Sequence, residues 1–226
     1  MKPGAPFLAR LRATGVAWRL AVAAATLAVA VGGAVPAFAA GPPAAAPAHV
    51  HATSNGLKVS MVDSTVPDLW LVRDDGQKVL LAKELDDGRP LVMNFIYTTC
   101  PGICPLMSQV FSQFQARLGA DRERVHMVSI SIDPEQDTPA RLRDYARKFS
   151  AGSQWRHYTG SVQASVTAQR AFDAYRGDKM SHDPLTLMRA APGKPWVRID
   201  GFATPDDLLA QYIAVAAMCE TDNAAR

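Results

Sequence analysis

Leu91-Val92-Met93-Asn94-Phe95-Ile96-Tyr97-Thr98-Thr99-Cys100-Pro101-Gly102-Ile103-Cys104-Pro105 is the stretch that decides the fold of this chain. Its first seven residues are a near-continuous apolar run, as expected of a central strand covered on both faces. Pro105 suits the first position of a helix, because its missing N–H is one that a helix start leaves unpaired anyway. Val110, Phe111, Phe114 and Leu118 then recur at helical spacing, and Gly119 fits a C-terminal stop. The spacing predicts a buried strand that delivers two thiols onto the first turn of a helix over 105–118. There the backbone N–H groups and the positive end of the helix dipole favour thiolate over thiol.

Two soft, ionisable sulfurs on one strand-to-helix corner bind a soft metal such as Cu(I), or exchange a disulfide. The plainer options are a pair of buried small hydrophobes or an inert structural disulfide. Two prolines, Pro101 and Pro105, each directly after one of the cysteines and just beyond a strand, weigh against both. Zinc would more often recruit a fourth protein ligand for a closed site, and the chain has no second cysteine pair. A peroxidase would need an arginine beside its reactive thiol, and no Arg lies near Cys100 in sequence. The third cysteine, Cys219, is far from the motif and reads as a bystander in the last helix.

Around this corner the pattern predicts a β-hairpin, Asp68–Arg73 and Lys78–Leu81, turning at Asp74-Asp75-Gly76. Val125–Ile132 reads as a second core strand, followed by a helix from Pro139 to Phe149 capped by Thr138. Trp155–Thr159 is a short strand, Ser161–Tyr175 a helix, Leu185–Met188 with Trp196–Ile199 a closing hairpin, and Pro205–Cys219 a last helix. That order implies an α/β domain with a central mixed sheet flanked by helices and an N-terminal β-hairpin. A dithiol at the end of the first core strand makes it a thioredoxin-like fold.

The N-terminal region reads as an export signal. Lys2, Arg10, Arg12 and Arg19 form a positive region, Leu20–Val35 is apolar, and Ala37-Phe38-Ala39 supplies a small-residue cleavage pattern. The sixteen residues of Leu20–Val35 are short of the roughly 20 that a spanning helix needs. A signal peptide over 1–39 is expected, with an uncleaved anchor in the inner membrane as the alternative. Either way the folded part faces an oxidising compartment, most simply the bacterial periplasm. Residues 40–56 are an Ala/Pro-rich linker, and 57–226 are the right size for one domain with one core. Loss of 1–39 removes four positive charges and takes the net charge from +3 to −1. No basic patch remains to bind nucleic acid.

The Asn94–Pro105 stretch resembles the copper-binding motif of the Sco (SenC) family, copper chaperones that help assemble the copper centre of cytochrome c oxidase. Three residues separate its cysteines, against two in thioredoxins. Val128-Ser129-Ile130-Ser131-Ile132-Asp133-Pro134-Glu135-Gln136-Asp137-Thr138-Pro139, followed by Leu142 and Tyr145, is similar to the family's second signature. The resemblance implies one copper per chain, as Cu(I), Cu(II) or both. Its ligands would be Cys100, Cys104 and a late histidine, which His182 matches. Ser181 and Gly102 stand where the family more often carries acidic residues. The resemblance implies delivery to the copper-receiving subunit of cytochrome c oxidase, with other copper chaperones or thiol reductants as further partners. It equally permits a thiol–disulfide oxidoreductase that reduces the client's copper-ligand cysteines through the redox-active pair Cys100 and Cys104. A pure reductase has no need of His182.

The remaining candidates read more plainly. His126 and His157 fall inside strands and read as satisfied core histidines; His49 and His51 belong to the linker. Asp133 and Asp137 read as turn and cap residues more than as the rim of a site. The eight methionines are scattered and read mostly as core filler.

Overall fold

The structure is a computed structural model that describes residues 51–52 and 57–224, with side chains over 57–218. Its strands are β1 (His51–Ala52), β2 (Lys58–Val62), β3 (Trp70–Arg73), β4 (Lys78–Leu80), β5 (Leu91–Ile96), β6 (His126–Ser131), β7 (Trp155–Thr159), β8 (Leu185–Arg189) and β9 (Trp196–Asp200). The helices are α1 (Leu81–Leu85), α2 (Ile103–Leu118), α3 (Pro139–Lys148), α4 (Val162–Ala171) and α5 (Pro205–Ala224). The expected signal over 1–39 lies outside the described residues. No helix among the described residues is long and apolar enough to cross a membrane.

The strands form one mixed sheet in the order β1-β2-β9-β8-β5-β6-β7-β3-β4. Its centre is parallel, β5 against β6 and β6 against β7. The other pairings, including β8 on the far side of β5, are antiparallel. Every residue of β5 and β6 is buried, which is why their sequences read as apolar runs. Alternation divides them between two cores. Val92 and Ile96 pack with Phe111, Phe114 and Trp155 on one face; Leu91, Met93 and Phe95 pack with Leu81, Phe172 and Trp196 on the other.

Across the first of these faces runs a row of polar residues in direct register: Thr186 opposite Asn94, Asn94 opposite Ser129, Ser129 opposite His157. All four are fully buried. Ser129 Oγ donates to Asn94 Oδ1 at 2.7 Å and accepts from Trp155 Nε1 at 3.0 Å. His157 stacks on Trp155, but neither ring nitrogen has a hydrogen-bond partner among the described residues. It is a core histidine, as expected, yet not a satisfied one. Burial, with Arg156 beside it, lowers its pKa to about 3 and keeps it neutral. His126 is also buried, and its Nδ1 lies 3.1 Å from Asp87.

Most elements lie where the pattern places them, and several differ: β1 forms within the expected linker 40–56, and α5 runs on to Ala224 rather than ending at Cys219. α2 begins at Ile103 with Gly102 as its N-cap, so Pro105 takes the third helical position instead of the first. The shift costs nothing, because a third-position N–H also lacks an intrahelical acceptor. Leu81 opens the short helix α1 rather than closing the hairpin strand. α4 stops at Ala171, before Asp173 turns to a φ of 49°, instead of running to Tyr175. β2 pairs along its whole length with β9 and was not expected. The caps behave as anticipated: Thr138 Oγ1 accepts from Arg141 N–H at 3.3 Å, and Gly119 ends α2 with a φ of 56°.

Candidate metal centre

The chain leaves β5 at Tyr97 and turns at once, with the Cys100 N–H donating to the Tyr97 carbonyl at 3.2 Å. The turn sets Cys100 just before α2 and Cys104 in its first turn. Both cysteines are buried and unpaired. The Cys104 N–H donates to Cys100 Sγ at 3.3 Å, and the Tyr97 N–H donates to Cys104 Sγ at 3.3 Å. One unpaired donor of the helix start, the Cys104 N–H, thus points at sulfur, and a donor from the end of β5 points at the other.

The two thiols do not respond alike. Burial pushes Cys100 up, but the N–H groups of Cys104 and Gly102, with the Cys104 thiol and the Tyr97 hydroxyl, outweigh it and bring its pKa below the ordinary thiol value. Cys104, fully buried, is pushed well up by burial and by the neighbouring Cys100, against the pull of the Tyr97 N–H. The expectation that the helix start favours thiolate at both positions therefore holds at Cys100 and fails at Cys104, where desolvation wins. In the metal-free reduced protein, Cys100 should be alkylated by iodoacetamide with a pH midpoint below the about 8.5 of a free thiol. Cys104 should stay unmodified until the protein unfolds. Mass mapping over a pH series checks this, and equal modification of both thiols contradicts it.

His182 reaches the same corner from the other end of the domain. Lys179–Ser181 forms a single 3-10 turn, with Asp178 Oδ1 accepting the Met180 N–H at 2.9 Å. His182 follows, just before β8. β8 runs antiparallel to β5 with Thr186 opposite Asn94, so the chain entering β8 passes the end of β5 where the thiols emerge. As a result, Cys104 Sγ lies 3.4 Å from His182 Nε2. That separation suits two donors sharing one ion at about 2.0–2.3 Å from each. Burial lowers the His182 pKa, partly offset by Asp183, and keeps the imidazole in its metal-binding neutral form. The site is an open corner: among the described residues, no three His, Cys, Asp or Glu side chains close into a preformed cage.

Two aspartates fix this corner. The buried Asp137 carboxylate accepts from Thr98 N–H at 3.1 Å, Thr98 Oγ1 at 2.5 Å and Ser131 Oγ at 2.6 Å, tying the cysteine loop to the loop after β6. Asp133 Oδ2 accepts from Lys179 Nζ at 2.6 Å and so holds the histidine loop. Turn and cap chemistry was the expectation for both. The helix cap is Thr138, as expected, and the two carboxylates tie together the loops that carry Cys100 and His182. A rim role was a weaker reading of the motif, and the pairing of Asp137 with Thr98 had no signal in spacing. His51 lies in β1, while His49 and the side chain of Cys219 fall outside the described residues.

A model of the SCO1/SenC family matches residues 61–215. The chain belongs to the SCO1/SenC family. Among curated relatives, the SCO1 protein homolog of Bacillus subtilis is 33% identical over 93 residues, which is 41% of this chain and 47% of that protein. The matched segments span less than half the length of each of the curated relatives. Among solved structures, Bradyrhizobium japonicum ScoI with copper bound aligns at a TM-score of 0.55 and 25% identity, over 65% of this chain and 96% of that one. BsSco, described as having a disulfide switch and as a member of the Sco family of cytochrome c oxidase assembly proteins, aligns at 0.59 and 25%, over 70% and 96%. The fold is the thioredoxin-like fold of these Sco structures, with a central mixed sheet flanked by helices.

Proposed function

We propose that this chain is an exported copper carrier that binds one copper ion through Cys100, Cys104 and His182. It passes that ion to the copper-receiving subunit of cytochrome c oxidase. The observation that carries the reading is the 3.4 Å approach of Cys104 Sγ to His182 Nε2, across 78 residues of sequence, beside a second thiol of lowered pKa. Two sulfurs select Cu(I), and an imidazole lets the same corner hold Cu(II). Family membership and the copper-bound Bradyrhizobium relative support the choice of metal. The signal pattern over 1–39 supports export to the periplasm, as a cleaved peptide or an inner-membrane anchor. Other copper chaperones or thiol reductants are the fitting upstream partners, since the ion must arrive and the thiols must be reduced.

Reconstitution of the reduced domain with Cu(I), followed by X-ray absorption, should show one copper per chain bound by two sulfurs and one nitrogen. A site without sulfur, or a preference for zinc under competition, contradicts the carrier reading.

The difference between the two thiols favours a second reading, thiol–disulfide exchange. The Cys100 thiolate would attack a client disulfide and release one client thiolate. Cys104 would then attack Cys100, closing the internal disulfide and releasing the second client thiol. Two electrons pass from this pair to the client. That step prepares a client's cysteines for copper, so the two readings are compatible, and His182 separates them.

A further inference from the structure

Met180 has no part in the carrier reading, yet it stands at the mouth of the site. Its side chain is 62% exposed. The Tyr97 hydroxyl donates a hydrogen bond to its Sδ at 3.3 Å. The Tyr97 N–H donates to Cys104 Sγ at 3.3 Å, and the Tyr97 ring meets the His182 ring edge-on, 6.1 Å between centroids. One residue, Tyr97, therefore contacts the thioether, a thiol and the imidazole.

The loop is built to keep Met180 there. Asp178 accepts its N–H, Lys179 is held by Asp133 at 2.6 Å, and the Lys179 ammonium lies over the Tyr97 ring at 5.7 Å. A lone exposed methionine is ordinary. One whose sulfur is oriented by a residue bonded to a candidate copper thiol is not accounted for by packing. A thioether is neutral and soft, so it binds Cu(I) in preference to Cu(II) and less strongly than a thiolate does.

We propose that Met180 is an auxiliary Cu(I) donor that takes the ion at the rim as it enters or leaves the Cys100–Cys104–His182 corner. The inference rests on the carrier reading above. The step is ligand exchange with no change of oxidation state. A lone pair of Met180 Sδ forms a bond to Cu(I), the Tyr97 O–H···S hydrogen bond breaks, and the freed hydroxyl turns to the Cys100 sulfur as its new acceptor. The Cys100–copper bond then breaks, leaving a thiolate stabilised by its N–H donors. The departing ion is held by a weak, solvent-facing ligand from which a client sulfur can take it.

The test is the full chain with selenomethionine at every methionine, reduced and loaded with Cu(I), compared with Met180→Leu. That substitution conserves volume at an exposed site and removes only the chalcogen. Selenium-edge absorption should show copper–selenium scattering in the parent and none in M180L. Cu(I) affinity, measured against a chromophoric chelator, should fall about tenfold, the lower end of what supporting groups at metal sites contribute, while Cu(II) affinity stays the same. Copper–sulfur scattering without copper–selenium scattering overturns the inference and leaves the carrier reading standing. Copper–selenium scattering that persists in M180L, or unchanged Cu(I) affinity in the variant, overturns it as well. Absence of all copper–sulfur scattering overturns the carrier reading and this inference together.

Discussion

Cys104→Ala is expected to abolish tight copper binding while the domain stays folded. Cys104 is the thiol 3.4 Å from His182 Nε2, so its loss removes the donor that joins the two halves of the corner. The loss should exceed the about 10–100-fold that supporting groups around a metal contribute. Cys100→Ala removes the other sulfur of the proposed ligand set and should have an effect of the same class. Both changes are small in volume, and a thermal melt beside the binding titration separates lost binding from lost fold. Cys219→Ala is the control and should bind copper like the parent. If Cys219→Ala weakens copper as much as the other two, the site has to be redrawn.

His182→Ala is expected to split the two chemistries of the corner. Copper retention should fall, and fall further for Cu(II), because the imidazole is the one nitrogen donor beside two sulfurs. The Cys100–Cys104 pair should still close and exchange a disulfide, since that reaction needs the thiolate and not the imidazole. Chelator competition in both oxidation states, run beside an exchange assay with a small disulfide, measures the two arms. In cells, oxidase assembly should fail with this variant. Full assembly with His182→Ala would favour the reductase over the carrier. Unchanged copper retention together with failed assembly would assign His182 to docking and place the third ligand elsewhere.

The parts of this molecule that were legible in its sequence are those governed by local pattern. β5 and β6 are buried on both faces and announce themselves as apolar runs; Thr138-Pro139 and Gly119 mark helix ends by backbone chemistry alone. β2 was not legible, because Lys58-Val59-Ser60-Met61-Val62 has only one fully buried residue and its partner β9 lies far along the chain. The site was half legible. Cys100 and Cys104 share one motif, and His182 entered through family resemblance. Nothing local shows that Asp137 grips Thr98, or that Tyr97 reaches Met180 across 83 residues. The unequal thiols were also out of reach, since Cys104 is buried where His182 arrives from 78 residues away, and no window of sequence contains that.

The two sulfurs lie four residues apart, whereas the imidazole joins them only after β8 has zipped against β5. Closing a short loop is entropically cheap and quick, and closing one of this span is neither. On the exported-carrier proposal, a newly translocated chain has its sulfurs side by side before it has anything else of the site. In the oxidising compartment that the proposal implies, this order of events would expose the pair to disulfide closure first, and the proposed copper site would be completed last. The maturing protein would then need a source of electrons before it needs a source of metal.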